Sequence, residues 1–151
     1  MAQCVEIVRD GLTCTFPVNV YYSSDGLWVR PERDSVRIGI ADHLYHCISP
    51  NLSSIEISPP GTRLQQGKPM GSFELLKADV PIPSPIGGVV AEINERLLIN
   101  VALLDDDRYG EGWLAVVGVE DFASDRQGLM SAETYGASLA PRENQPAATA
   151  E

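Results

Sequence analysis

The sequence predicts an all-β domain with small helical additions, of the sandwich or barrel kind. Two observations lead to this prediction: short runs of β-favouring residues recur along the chain, and turns rich in glycine, proline, asparagine and aspartate separate them. The length of 151 residues fits one domain, and such a chain buries about 68–70% of its unfolded surface. We therefore expect a sizeable hydrophobic core.

Strand-like runs dominate the first part of the chain. Residues 1–17 alternate weakly around the turn dipeptide Asp10-Gly11, and a turn-rich connection at 23–26 separates two further runs. Residues 35–40 place an apolar side chain at every second position, as a half-buried strand does. With the run at 52–58, the first part is predicted to form a small hairpin or an edge strand at 1–17, a second hairpin and two more strands.

One helix is predicted between these strands, at residues 42–48. Leu44, Cys47 and Ile48 recur at the spacing of one helical face, and Ser49-Pro50 ends the pattern. Asp42 is of a residue type that caps helix N-termini, so we expect it to cap this helix.

The second part of the chain continues the β pattern and adds short helices at its end. Strands are predicted at 70–76, 89–93 and 113–119. Three helices are predicted: one capped by Asn94 and carrying Leu97 and Leu98, one holding Phe122, Arg126 and Leu129, and one beginning at Ser131. Residues 140–151 lack large apolar side chains, so we expect a disordered tail.

The charge balance restricts the classes of partner. A formal net charge of −10 argues against binding to nucleic acid or to an anionic membrane, because phosphate contacts need a basic face. No apolar run approaches the roughly 20 residues that cross a bilayer, and the N-terminus does not resemble a signal peptide. We therefore expect a cytoplasmic protein, in which the three cysteines are reduced thiols.

Lys77 is the strongest candidate for a chemical centre. The predicted strand at 70–76 leads into it, and a proline-rich arm at 81–86 leads away to the glycine pair Gly87-Gly88. This pattern predicts a hairpin that exposes one primary amine, which a modifying enzyme could acylate. The alternative is an ordinary surface lysine that only keeps the protein soluble.

Other candidate sites are weaker. His43, His46 and Cys47 share a helical face and could hold a metal, but a tetrahedral site needs further ligands and the chain has two histidines. A packed helix face is the favoured interpretation, so no metal site is predicted. Cys4 and Cys14 match no redox motif and are interpreted as isolated thiols. The run 105–107, three aspartates, is interpreted as a solvated acidic turn rather than a calcium loop.

The residues around Lys77 resemble the lipoylation site of the H protein of the glycine cleavage system, in the biotinyl/lipoyl-carrier superfamily. The family pattern of glycine, glutamate, lysine and alanine is present as Gly71, Glu74, Lys77 and Ala78. Further matching segments are Gly39–His43, Ser84–Gly88, Asn94-Glu95, Asp107–Leu114 and Leu129–Tyr135. The resemblance runs from about residue 21 to 139, and its tyrosine-glycine-x-glycine-tryptophan element is specific.

The resemblance implies a non-catalytic carrier with a lipoyl-domain-like barrel-sandwich hybrid fold. Lipoate would be attached covalently to Lys77, and Glu74 would help present the hairpin to the lipoylating enzyme. The implied partners are the decarboxylase, the aminomethyltransferase and the dihydrolipoamide dehydrogenase of glycine cleavage, between which the arm shuttles an aminomethyl group. The implied division is an N-terminal extension at 1–20, a carrier domain at 21–139 and the tail at 140–151.

Two alternatives remain open from the sequence. Leu75 and Leu76 stand where the family usually has serine and valine, and Cys4 and Cys14 lie in the extension. These differences allow an H-protein-like carrier in bacterial sulfur oxidation, with sulfur on the dithiol and a heterodisulfide-reductase-like complex as partner. The other alternative is an unlipoylated binding module that keeps only the fold.

Overall fold

A computed structural model describes residues 4–9 and 11–139, which are mostly β-structure with a few short helices. The strands are β1 Cys4–Arg9, β2 Leu12–Pro17, β3 Tyr21–Tyr22, β4 Leu27–Pro31, β5 Ser35–Ile40, β6 Leu52–Ile57, β7 Arg63–Leu64, β8 Pro69–Leu75, β9 Asp79–Pro83, β10 Gly88–Ile93 and β11 Ala115–Val119. The helices are α1 Asp42–Ile48, α2 Glu95–Ile99, α3 Leu103–Asp107, α4 Phe122–Asp125 and α5 Ala132–Ser138. The predicted all-β class with small helical additions is confirmed.

The strands of the described residues form three antiparallel sheets, none of which closes on itself. One sheet has six strands in the order β3-β4-β5-β11-β10-β7, and a second has three in the order β6-β8-β9. The strands β1 and β2 form the predicted N-terminal hairpin, which pairs from Cys4 with Pro17 to Arg9 with Leu12.

The main hydrophobic core lies between the two larger sheets. Ile38 of β5 and Val117 of β11 come from the six-stranded sheet, and Ile55 of β6 and Phe73 of β8 come from the three-stranded sheet. All four are buried. Alternate residues of a strand point to the same side, so each of these strands turns one of its two faces towards the core. Burying each such side chain contributes about 1.5–3 kcal/mol, so the three-stranded sheet is firmly packed on its inner face.

A second core lies where the N-terminal hairpin meets helix α5. The rings of Tyr22 and Tyr135 are stacked with centroids 5.0 Å apart, and Phe16 packs edge-on against both. Tyr22 and Met130 exchange two backbone hydrogen bonds of 2.8 and 2.7 Å. Residues from the two ends of the described chain therefore share one core. The predicted division at residues 20 and 139 stays a prediction, and the predicted disordered tail lies outside the described residues.

The predicted capping role of Asp42 is wrong. Ala41 is the N-cap of α1, and Asp42 is the first residue inside the helix. Its Oδ2 accepts a hydrogen bond from the backbone N–H of Thr15 at 2.7 Å, and its Oδ1 lies 3.0 Å from Arg108 Nη1. Tyr109 donates its hydroxyl to Thr15 O at 2.7 Å and accepts from the Asp42 N–H at 2.9 Å. Asp42 therefore fastens strand β2 to α1 instead of capping the helix.

Arg108→Ala is expected to destabilise the fold by about 2 kcal/mol, because it leaves the Asp42 carboxylate poorly solvated and without its cation. The two side chains are 16% and 10% exposed, so water weakens the penalty only in part. Urea unfolding measures the loss. Arg96→Ala is the matched control, since its ion pair with Glu111 is largely exposed and contributes about 0–1 kcal/mol. Equal losses of unfolding free energy in both variants would contradict a stabilising role for the ion pair between Arg108 and Asp42.

The prediction that residues 105–107 form a turn is wrong, although their three side chains are exposed. These residues lie in helix α3. Asp105 accepts a hydrogen bond from the Tyr45 hydroxyl, and Asp107 accepts one from the Glu111 N–H at 3.0 Å. The cluster therefore ties α3 to α1 and to the loop that follows it.

Asn94 is the N-cap residue of α2, as predicted, but its side chain makes no capping hydrogen bond. The amide donates instead to Glu111 O at 2.7 Å and Trp113 O at 2.8 Å. Asn94 therefore holds the loop that carries the tyrosine-glycine-x-glycine-tryptophan element.

Burial, and then the hydrogen bond to Asp105, raise the pKa of Tyr45 to about 12. Because the unfolded tyrosine ionises near pH 10, the fold loses stability as pH rises from about 10 to about 12, and the full contribution is present below pH 10. The free energy of unfolding, measured with urea across this pH range, should therefore fall less steeply in Tyr45→Phe than in the wild-type chain. Phenylalanine keeps the ring under Arg108, whose guanidinium carbon lies 4.1 Å from its centroid. Identical pH profiles would contradict this assignment.

Candidate functional site

Lys77 lies in the turn that joins β8 to β9. The two strands pair up to Glu74 opposite Asp79, and the N–H of Leu75 donates to Ala78 O at 2.8 Å. The turn is closed at its base by this hydrogen bond, and the Lys77 side chain is exposed beyond it. The sequence prediction of a hairpin with an exposed lysine therefore describes the geometry correctly.

A shallow groove of about 380 Å³ lies beside this turn. Asn51, Leu75, Leu76, Lys77 and Ala78 line it. Leu76 is 74% exposed and places hydrophobic surface directly next to the amine. The groove therefore offers an apolar contact at the base of whatever Lys77 carries.

The incoming strand β8 owes its close fit to Gly71. A Cβ atom at this position would overlap the backbone oxygen of Glu56 on the neighbouring strand β6. Glycine therefore lets β8 approach β6 closely, three residues before Glu74, and the short side chain is needed for the sheet that supports the turn.

The outgoing arm is fixed by hydrogen bonds as well as by its prolines. The Ser84 hydroxyl donates to Ile86 O at 2.6 Å, and the N–H of Gly87 donates to Asp125 Oδ2 at 2.8 Å. Gly88 has a φ of +149° and passes so close to Gly118 O that a Cβ atom would overlap it. The glycine pair therefore allows the chain to pass from the arm into strand β10 of the six-stranded sheet.

The neighbouring strand β6 binds both the backbone oxygen and the side-chain carboxylate of Glu74. The Ser54 hydroxyl donates to the Glu74 carboxylate, and the Ser53 hydroxyl donates to the Glu74 backbone oxygen at 2.8 Å. These two serines were not predicted from the sequence. Only their position in a strand-like run could have marked them, since the partner strand is not readable from the sequence alone.

A second groove runs between helix α1 and the lysine hairpin. It has a volume of about 170 Å³. Leu44 and Ile48 line its helical wall, and Phe73 and residues 80–83 line its strand wall. Two of the three residues whose spacing predicted α1 therefore face the hairpin, whereas the third, Cys47, is exposed.

The remaining candidates do not form a site. The Cys47 sulfur lies 3.7 Å from His43 Nε2, but the described residues contain no group of three or more potential metal ligands. Cys4 is exposed and pairs with Pro17, whereas Cys14 is buried and pairs with Ile7, so the two thiols are not cross-strand neighbours. None of the helices in the described residues has the length and apolar character needed to span a membrane.

Comparisons with known proteins assign the family. A family model described as glycine cleavage H-protein matches residues 20–142. The chain belongs to the glycine cleavage H-protein family. It is 34% identical to glycine cleavage system H protein 2 of Aquifex aeolicus over 88% of this chain and 81% of that protein. It is 36% identical to the glycine cleavage system H protein of Thermoanaerobacter sp. over 77% of this chain and 90% of the relative.

The fold of this H-protein family member agrees with a solved structure. The crystal structure of a glycine cleavage system H protein from Mycobacterium marinum superposes with a TM-score of 0.70 and 24% sequence identity, covering 82% of this chain and 98% of that one. This likeness supports the predicted lipoyl-domain-like, barrel-sandwich architecture.

Proposed function

We propose that this H-protein family member is a non-catalytic carrier, with lipoate joined by an amide bond to the Nζ of Lys77. The observation that carries the proposal is the exposed lysine in a closed, well-supported turn, at the position where the family pattern has its lysine. Attachment requires an amine that an enzyme can reach, and the Lys77 side chain extends beyond the base of the turn.

The chain's own residues supply the positioning. The Lys77 ammonium first loses a proton, and the neutral amine then attacks the acyl carbon of an activated lipoyl donor. The amide bond forms, the bond from the acyl carbon to the leaving group breaks, and a second amine proton is released. The positive charge of Lys77 is thereby lost, which suits an arm that next contacts the apolar Leu76. When bound, the dithiolane supplies the redox and group-carrying chemistry, and the hairpin fixes where the arm begins.

The aminomethyl group of glycine cleavage is the proposed cargo. The arm would serve the decarboxylase, the aminomethyltransferase and the dihydrolipoamide dehydrogenase in turn, in the cytoplasm. Tethering raises the local concentration of the arm at a docked partner to roughly millimolar, without a new contact for each step. The glycine cleavage names of the relatives support this cargo.

The sulfur-carrier alternative has no comparable support. Neither of the relatives described above is named for sulfur oxidation, and Cys4 and Cys14 do not form a pair that could assist it. Leu75 and Leu76 remain differences beside the lysine, and they do not by themselves indicate another cargo.

Intact-mass spectrometry of the protein from its native host tests the proposal. We expect one lipoyl group per chain, located on the peptide that contains Lys77. Glycine-dependent carbon dioxide exchange with the decarboxylase then tests the cargo. A chain without a lipoyl group would refute the carrier function, and a lipoylated chain that supports no exchange would refute the aminomethyl cargo.

A further inference from the structure

A shift in strand register lies directly beside the lysine turn. Leu52 of β6 pairs with Leu75 of β8, but Ser54 pairs with Glu74, so that β6 carries one additional residue, Ser53, across a single step of β8. Such bulges redirect side chains and often occur next to functional sites.

The register shift separates apolar from polar contacts. Leu52 and Leu75 both pack against the main core, as inward-facing partners should. Ser54 lies opposite Glu74 and donates to its carboxylate, and the additional residue Ser53 donates to the Glu74 backbone oxygen. In an unshifted ladder Ser53 would face Leu75 while Ser54 would still face Glu74, so the Ser53 contact is the one that depends on the extra residue.

The bonds from the two serines fix the residue from which the turn begins. Glu74 is bound to β6 by the hydroxyls of Ser53 and Ser54, and to β9 by its pairing with Asp79. The Leu75–Ala78 hydrogen bond closes the turn one residue later. Of the residues between Glu74 and Asp79, Leu76, Lys77 and Ala78 are exposed, and Lys77 carries the only ionisable side chain among them.

We propose that Ser54 is a positioning residue for the modification of Lys77, with Ser53 supporting it. The Ser54 hydroxyl holds one carboxylate oxygen of Glu74, which orients the second oxygen towards a cationic side chain of the lipoylating enzyme. Ser53 fixes the backbone to which that carboxylate belongs. This inference rests on the proposed lipoylation, and it assigns to Ser54 a recognition role that acts through Glu74.

The matched variants Ser54→Thr and Ser54→Val test it, because they have nearly the same shape and differ in the hydroxyl. Initial rates of lipoylation are measured against the concentration of the full chain, with purified lipoylating enzyme and saturating lipoyl donor. We expect Ser54→Val to raise KM about tenfold with kcat changed less than about twofold, and Ser54→Thr to stay within about twofold of wild type.

Two controls separate recognition from general support of the fold. Ser72→Ala removes a hydroxyl from the same outward face of β8, and we expect wild-type kinetics. In a Glu74→Gln background, Ser54→Val should cause less than about a twofold further change, since its effect acts through the missing carboxylate. Melting temperatures of all variants check that the hairpin remains folded.

Equal KM values for Ser54→Thr and Ser54→Val would overturn the inference, as would a full tenfold effect in the Glu74→Gln background. A wild-type chain that cannot be lipoylated would overturn the proposed function and this inference with it. Lipoylation of the wild-type chain with unaltered kinetics in Ser54→Val would overturn the inference alone.

Discussion

Lys77→Arg is expected to fold like the wild-type chain and to carry no lipoyl group. Lys77 is exposed in a turn, so its substitution changes the free energy of unfolding by less than about 0.5 kcal/mol. A guanidinium stays protonated at neutral pH and is not a usable nucleophile, so acylation should be lost completely. Intact-mass spectrometry after co-expression with a lipoylating enzyme measures the modified fraction.

Lys68→Arg is the matched control, because Lys68 is the other lysine of the chain and also lies exposed in a turn. This variant should be lipoylated to the same extent as wild type. A folded Lys77→Arg chain that still gains a lipoyl group, together with an unmodified Lys68→Arg chain, would transfer the attachment site to Lys68.

Gly71→Ala is expected to lose about 2–3 kcal/mol of stability, since the new methyl group would overlap the Glu56 backbone oxygen and force β8 away from β6. The strain falls on backbone atoms, which cannot move aside as a flexible side chain can. The same displacement would loosen the contacts between Glu74 and the two serines of β6. Urea unfolding measures the stability, and the lipoylation rate reports on the turn.

Gly118→Ala is the control for this variant. Gly118 also lies in a strand, but a Cβ there would meet its nearest neighbour, Val89 O, at an ordinary 3.7 Å. We expect a change within about 0.5 kcal/mol. Similar losses in both variants would mean that glycine-to-alanine exchange in a strand, rather than the approach of Gly71 to Glu56, sets the cost.

Patterns that depend on neighbouring residues were predictable from the sequence. Alternation predicted β5, because Val36, Ile38 and Ile40 all point into the core. Turn chemistry and family spacing together predicted that Lys77 lies at the tip of a hairpin. The helical spacing of Leu44, Cys47 and Ile48 predicted α1 with its observed bounds, although Cys47 is exposed.

Features that depend on distant partners were not predictable. Asp42 has the chemistry of a cap, yet it binds Thr15 and Arg108, which are remote in sequence. Asp105 gave no signal of a helix, because its partner Tyr45 lies on another element. Ser54 reaches Glu74 only through the pairing of β6 with β8, and a strand register is defined by two strands at once. In each case the competing contact was tertiary.

The aromatic stack of Phe16, Tyr22 and Tyr135 has a consequence for the order in which the molecule is built. During synthesis on a ribosome, the lysine hairpin and both of its neighbouring sheets can emerge before helix α5 exists. The second core cannot close until that helix arrives, so we expect its rings to be the last to leave water. Contacts so far apart along a chain form slowly. A nascent chain would therefore present the turn that holds Lys77 while its two ends are still apart.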